Sequence, residues 1–173
     1  MGAESGSQKI LSAMDKGTRV DQIAVARENL RAEGIRACYF LQFGYPGENW
    51  QDIQKTIALV NETRPDDIGV SVSYPLPGTR FFDRVQAQLG KKTNWSDSED
   101  LSMMFQGTYT SEFYRAIRDL IHDQIVLQTV EKDVPAGQNS AAKRALERRW
   151  HDLLSRESLH RSQLGSTATA RTG

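Results

Sequence analysis

The sequence predicts an α/β fold: a fragment of a partial (β/α) barrel with parallel strands, followed by C-terminal helices. Three observations carry this. Ile35 to Val60 reads as an apolar strand, a glycine-rich turn and an amphipathic helix. Ile68 to Val85 repeats the order, with a Pro/Gly turn between strand and helix. Short turns between alternating strands and helices imply parallel strands joined by right-handed crossovers.

The elements follow in order. MGAESGSQ, residues 1–8, is small and polar and reads as a loop. Ser5 with Gln8 fits a capping box for a short helix from Gln8 to Asp15, with Gly17 just past its end. Thr18 with Asp21 fits a second box. Val20, Ile23, Ala26 and Leu30 then mark one face of a helix that stops near Gly34. The chain is thus expected to open with a loop and two helices before its first strand, 35–42. Asn49 with Asp52 caps a helix over 49–63, where Trp50, Ile53, Ile57 and Val60 share a face. A strand over 68–73 and a helix over 79–89 complete the second unit. Both strands read as apolar on both sides, as parallel strands covered by helices are. Two strands make a poor sheet alone, so a missing partner and an aggregation-prone open edge are expected.

Residues 90–107 form a long connection with apolar pieces at Trp95, Leu101, Met103, Met104 and Phe105, expected to pack over one end of the sheet. Thr110 to Glu131 is a strong helix with Phe113, Ile117, Leu120, Ile121 and Leu127 on one side. The α/β unit is therefore assigned to 1–131, a linker to 132–138, a basic helix to 139–164 and a disordered tail to 165–173. In the basic helix Leu146, Trp150, Leu153 and Leu154 make a narrow stripe.

Composition narrows the function. The chain has 173 residues, 38% hydrophobic and 25% charged, which suits one globular domain with looser segments. Its 22 basic and 22 acidic residues balance, so nothing global points to nucleic acid or a membrane surface. From Lys132 onward eight Lys/Arg stand against four Asp/Glu, so the charge is uneven. No apolar run reaches the ~20 residues of a membrane helix. No signal peptide is read in the first residues. A cytoplasmic location is the default. The one cysteine, Cys38, excludes an intramolecular disulfide and a multi-cysteine metal site built from this chain alone.

Three stretches carry candidate chemistry, and each also has a plain structural reading. Gly2 to Ser7 offers hydroxyls and a carboxylate for ribose-like hydroxyls, or is a helix cap and a frayed end. Gly44 to Glu48 is a backbone cradle at a strand's C-terminal end, or an ordinary strand–helix turn with Glu48 at the positive helix end. Ser71 and Ser73 alternate along a strand beside Tyr74 and Pro75, which suggests a barrel interior or small residues packed under a helix. His122, His151 and His160 have no metal spacing and read as solvated or structural. Cys38 reads as a core residue. Lys143, Arg144, Arg148 and Arg149 read as a solvated face or a dock for an acidic partner.

Taken together, GAESGSQKIL, FLQFGYPGENWQDIQKTI and SVSYPLPGTRFFDRV resemble the second half of the radical S-adenosylmethionine barrel. The likeness is to its cobalamin-binding-domain subgroup, similar to the anaerobic magnesium-protoporphyrin monomethyl ester cyclase. It runs from Gly2 to about Gln128. The resemblance implies a partial (β/α)6 barrel whose fourth strand ends just before Met1. It places Glu4, Ser5 and Ser7 near the ribose of S-adenosylmethionine. Gln42, Gly44, Tyr45 and Pro46 would line the adenosyl site, and Ser73, Tyr74 and Pro75 the adenine. It implies a 4Fe–4S cluster, and cobalamin, in a full-length parent. The family's three-cysteine motif is absent, so this chain ligates no cluster and alone generates no radical. The implied partners are a small-molecule substrate and the missing N-terminal half of the barrel, with no nucleic acid and no membrane. The competing reading is a non-catalytic α/β binding or interaction module. A different barrel enzyme holding a phosphate ranks third, because only Arg80 lies near a suitable turn.

Overall fold

The computed structural model describes residues 1–89, 100–130 and 140–162. Trp95, the linker over 132–138 and the tail over 165–173 lie outside the described residues. The element order is β1 (Gly2–Glu4), α1 (Gln8–Ala13), α2 (Val20–Ala32), β2 (Cys38–Phe43), α3 (Trp50–Thr63), β3 (Asp67–Val72), α4 (Arg80–Leu89), α5 (Ser111–Val130) and α6 (Ser140–Ser155). A 3-10 turn, Glu157–His160, follows. The strands form one parallel sheet in the order β1-β2-β3, so the α/β class and the parallel strands are as expected.

The start of the chain differs from the expectation. Residues 2–4 are a strand, not a loop, and they give the sheet a third member. Met1 carbonyl accepts the Phe40 N–H at 2.9 Å, and the buried Ala3 faces the core. Three residues are too few to show a period, so only their pairing with β2 makes them a strand. Two helix starts also shift. Ser7, not Ser5, is the N-cap of α1. Arg19, not Thr18, caps α2, and its N–H is accepted by Gln22 Oε1 at 2.9 Å. At the end of α1, Asp15 rather than Gly17 follows the cap residue Met14, with φ +57°. Lys16 N–H closes that turn on the Leu11 carbonyl at 3.3 Å.

The two-sided apolar reading of the strands is also corrected. On β2, Tyr39, Leu41 and Phe43 are buried, while Phe40 between them is 59% exposed. One face packs in a single core with Leu11, Ile23, Ile53, Val60, Phe113 and Ile117, contributed by α1, α2, α3 and α5. Leu146 and Leu153 of α6 close that core from outside. The other face stays open at Phe40, whose ring lies against Gly69 of the neighbouring strand, 3.0 Å from where a Cβ would stand. Cys38 sits on this open side, half-buried, and is not a core residue. The helices cover one face only, so strict alternation along β2 replaces the expected double burial.

A second, smaller cluster joins Val85 and Leu89 of α4 to Met104 and Phe105, with Tyr74, Phe81 and Phe82 against it. The end of α3 is held by arginines from α2. Arg27 is buried, donates to the Arg64 carbonyl at 3.0 Å and pairs with Asp66 at 3.1 Å. After α6, residues near Arg161 zip onto the segment before α5, with Ser162 N–H on the Thr108 carbonyl and Thr110 N–H on the His160 carbonyl, both 2.9 Å.

Candidate functional site

The turns after β1, β2 and β3 lie at the strand C-termini, where ligands of parallel α/β folds bind. The turn after β2 is built around Gly44. Its φ is +78°, and a Cβ there would stand 2.9 Å from Met103 Sδ. Both conditions require glycine. Gly44 N–H donates to Glu48 Oε2 at 2.6 Å, which closes the turn. Asn49 and Asp52 then form the expected capping box, each side chain accepting the other's N–H, at 3.2 and 3.1 Å.

Tyr45 is buried. Its hydroxyl donates to the Ala13 carbonyl and accepts from Arg84, both at 2.7 Å. Its ring packs on Phe81 with centroids 4.9 Å apart. It lines a groove of about 960 Å3 between the end of α1 and the start of α4, with Met14, Asp15, Arg80 and Arg84. Pro46 is half-buried and borders a separate groove of about 690 Å3 with Trp50, Tyr109 and Arg161. Gln42 is half-buried on the open side of β2.

The Gly2–Ser7 segment serves α3. Ser5 and Ser7 are fully buried. Ser5 Oγ and Thr56 Oγ1 share a hydrogen bond of 3.2 Å, and Ser7 Oγ donates to Asp52 Oδ1 at 2.7 Å. Gly6 lies so close to α3 that a Cβ would stand 2.2 Å from the Lys55 carbonyl oxygen. Glu4, at φ +58°, pairs with Lys16 at 3.0 Å. Of Glu4, Ser5 and Ser7 only Glu4 keeps partial exposure; the two serine hydroxyls are committed inside the fold.

Asp52 is the hub of the region. Burial pushes its carboxyl upward, but Lys9 at 2.6 Å, Ser7 and the Asn49 N–H outweigh that and hold it below the usual carboxylate range. Lys9 also donates to the Gly47 carbonyl at 2.8 Å, tying α1 to the turn. Ser73 is fully buried at the end of β3, its N–H on the Phe43 carbonyl at 2.7 Å. Tyr74 and Pro75 follow it, half-buried and buried, with Tyr74 against the α4 cluster. The fold therefore brings the turns after β2 and β3 together through Phe43 and Ser73, while the polar groups after β1 face α3.

Sequence reading placed Glu48 in the turn at the positive helix end without its burial, and it missed Tyr114. Glu48 is 1% exposed, and burial raises its carboxyl to about 8. It is an interior acid at the start of α3, where a carboxylate can equally stand in solvent. Tyr114 lies on α5 beside Gly44 and is also buried, which pushes its phenol well up. Nothing in a lone Glu after Pro-Gly distinguishes the two settings. Thr108 Oγ1 donates to the Glu48 carbonyl at 2.5 Å, a contact across sixty residues.

No metal centre is formed among the described residues: no group of three His, Cys, Asp or Glu side chains is placed to hold an ion. The whole sequence has one cysteine, and it lies on the open strand face. That donor set does not fit a 4Fe–4S cluster.

No protein-family model matches the sequence. It is 33% identical over 84 residues to a putative methylthiotransferase of Methanocaldococcus jannaschii, covering 49% of this chain and 19% of that protein. It is 27% identical over 137 residues to an uncharacterized methyltransferase of Pyrococcus horikoshii, covering 70% and 30%. A tRNA-2-methylthio-N(6)-dimethylallyladenosine synthase of Geotalea uraniireducens is 32% identical over 80 residues, covering 45% and 18%. These partial similarities support a link to the radical S-adenosylmethionine superfamily. The chain spans no more than 30% of the length of these relatives. Among the described residues no helix is long and apolar enough to cross a membrane.

Proposed function

We propose that this chain is part of the wall of a radical S-adenosylmethionine barrel and contributes the adenosyl-facing side and part of the substrate cavity. The observation that carries the reading is the one-sided sheet: helices cover one face and the other is open at Phe40, as in a barrel wall seen from within. The methylthiotransferase similarity supports the same superfamily. In this reading Gln42, Gly44, Tyr45, Pro46, Ser73, Tyr74 and Pro75 border the nucleoside, with Glu4 at the rim. The backbone of the turn after β2 and the open side of β2 fit a nucleoside better than the Ser5 and Ser7 hydroxyls, which are already bonded. The cofactor, when bound, supplies the 5′-deoxyadenosyl group of the family's radical chemistry. This chain's residues hold and orient it and exclude water. The cluster's thiolates come from an N-terminal half of the barrel, the partner in this proposal, and cobalamin use with it. A cytoplasmic location and a small-molecule substrate belong to the same proposal.

One observation favours the alternative, a non-catalytic α/β module: the Gly/Ser motif after β1 is used to build α3, so it needs no ligand to explain it. Sequencing the DNA upstream of the Met1 codon separates the two. An in-frame extension encoding strands and a three-cysteine motif is the expected result. A stop codon directly upstream with its own start signal overturns the radical-enzyme reading in favour of the binding module.

A further inference from the structure

Three oxygens around Gly44 are buried without a hydrogen-bond partner: Glu48 Oε1, Tyr114 Oη and Ser73 Oγ. They come from the turn before α3, from α5 and from the turn after β3, which meet at Phe43 and Gly44. Glu48 holds the Gly44 N–H at 2.6 Å. The Tyr114 ring lies 3.4 Å from where a Gly44 Cβ would stand. Ser73 hooks the adjoining Phe43 carbonyl at 2.7 Å. Glu48 forms no ion pair among the described residues. Of the charged groups that act on it, Asp52 on α3 has the same sign. Lys9 on α1 is committed to Asp52 and to the Gly47 carbonyl. Tyr114 on α5 is neutral.

We propose that Glu48 is kept as the neutral acid at neutral pH and that loss of its proton to solvent unlocks the turn from Gly44 to Gly47. The neutral acid leaves Oε1 uncharged at a buried place that offers it no hydrogen-bond donor. A carboxylate at the same place would be a buried charge with one N–H donor and no cation, so water must enter and the turn must open. Burial raises Glu48 to about 8, which sets the range in which this happens. The consequence for ligand binding rests on the proposed function, because the turn that opens is the one assigned to the adenosyl group.

The test is an NMR titration of the full chain from pH 3 to 10, following the Glu48 side-chain carboxyl carbon and the Gly44 amide. The expected result is a common midpoint near 8 for both, and a Gly44 amide that no longer titrates in Glu48→Gln. A Glu48 carboxyl midpoint in the ordinary range near 4.5, or a Gly44 amide that ignores the carboxyl, overturns the proposal. The wild-type carboxyl signal alone decides if Glu48→Gln does not fold. S-adenosylhomocysteine added at pH 7 and pH 9 then separates the two ideas. Binding that is lost at pH 9 in the wild type but kept in Glu48→Gln supports both. A titrating Gly44 with no binding at either pH sinks the adenosyl reading and leaves the proton lock standing.

Discussion

Gly6→Ala tests whether the Gly/Ser segment after β1 is structural. An ideal Cβ on Gly6 would stand 2.2 Å from the Lys55 carbonyl oxygen and 2.7 Å from Thr56 Cα. Both are backbone atoms in the middle of α3, which cannot swing aside as a long side chain can. The added methyl must push the segment off the helix. Overpacking of this kind typically costs about 1–3 kcal/mol. The shift also strains the Gly6 N–H bond to Thr56 Oγ1 at 2.9 Å and the Ser7 bond to Asp52 at 2.7 Å. Those contribute about 1 kcal/mol each, more for the charged acceptor. The expected loss is roughly 3–5 kcal/mol, a large part of a domain's ~5–15 kcal/mol stability. Urea unfolding followed by far-UV circular dichroism measures it. A variant within about 1 kcal/mol of wild type would refute the wedge and return Ser5 and Ser7 to the list of ligand-facing groups.

Other substitutions probe separate parts. A carboxyl raised from 4.5 to about 8 binds its proton more tightly folded than unfolded. Its contribution is therefore full below pH 4.5 and is lost as pH rises to about 8, at ~1.4 kcal/mol per unit. Glu48→Gln should flatten that slope in thermal melts between pH 5 and 9; an unchanged slope assigns it to other groups. Gly44→Ala should cost about 2–4 kcal/mol from positive φ and the Met103 clash. Met103→Ala in the same chain should recover only the steric share, and full recovery would show that the backbone angle is unstrained. Arg27→Ala should cost about 3 kcal/mol in urea unfolding by leaving the Arg64 carbonyl and Asp66 without their buried donor. A neutral effect would mean that water caps α3 equally well.

The sequence made some of this legible. The Asn49–Asp52 box and the face of α3 follow from spacing, because both are local and the helix is fourteen residues long. Helix α4 starts where Thr79 suggests, with Thr79 Oγ1 accepting the Phe82 N–H at 3.1 Å. Strand β1 was not legible, since pairing with Phe40 and Leu41 defines it and its own three residues do not. The place of Phe40 and Cys38 on the open face was hidden for a related reason. An apolar residue on a bare sheet face looks the same in sequence as one under a helix. Arg27 sits on the face marked by Ile23 and Leu30, yet charge alone reads as solvent. Glu48 and Asp52 are both acids near the start of α3, and only their partners separate them. Lys9 ionises Asp52, while Glu48 has one N–H and an unpaired oxygen.

The claim that the open side of the sheet and the turns after β2 and β3 face a nucleoside has a direct test. Isotope-labelled full chain is titrated with S-adenosylhomocysteine at pH 7 and followed by amide shifts. Changes should concentrate at Gln42, Gly44, Tyr45, Ser73 and Tyr74, with little at the α5–α6 crevice around Leu120 and Arg149. No shifts at millimolar ligand, or shifts confined to that crevice, would contradict it.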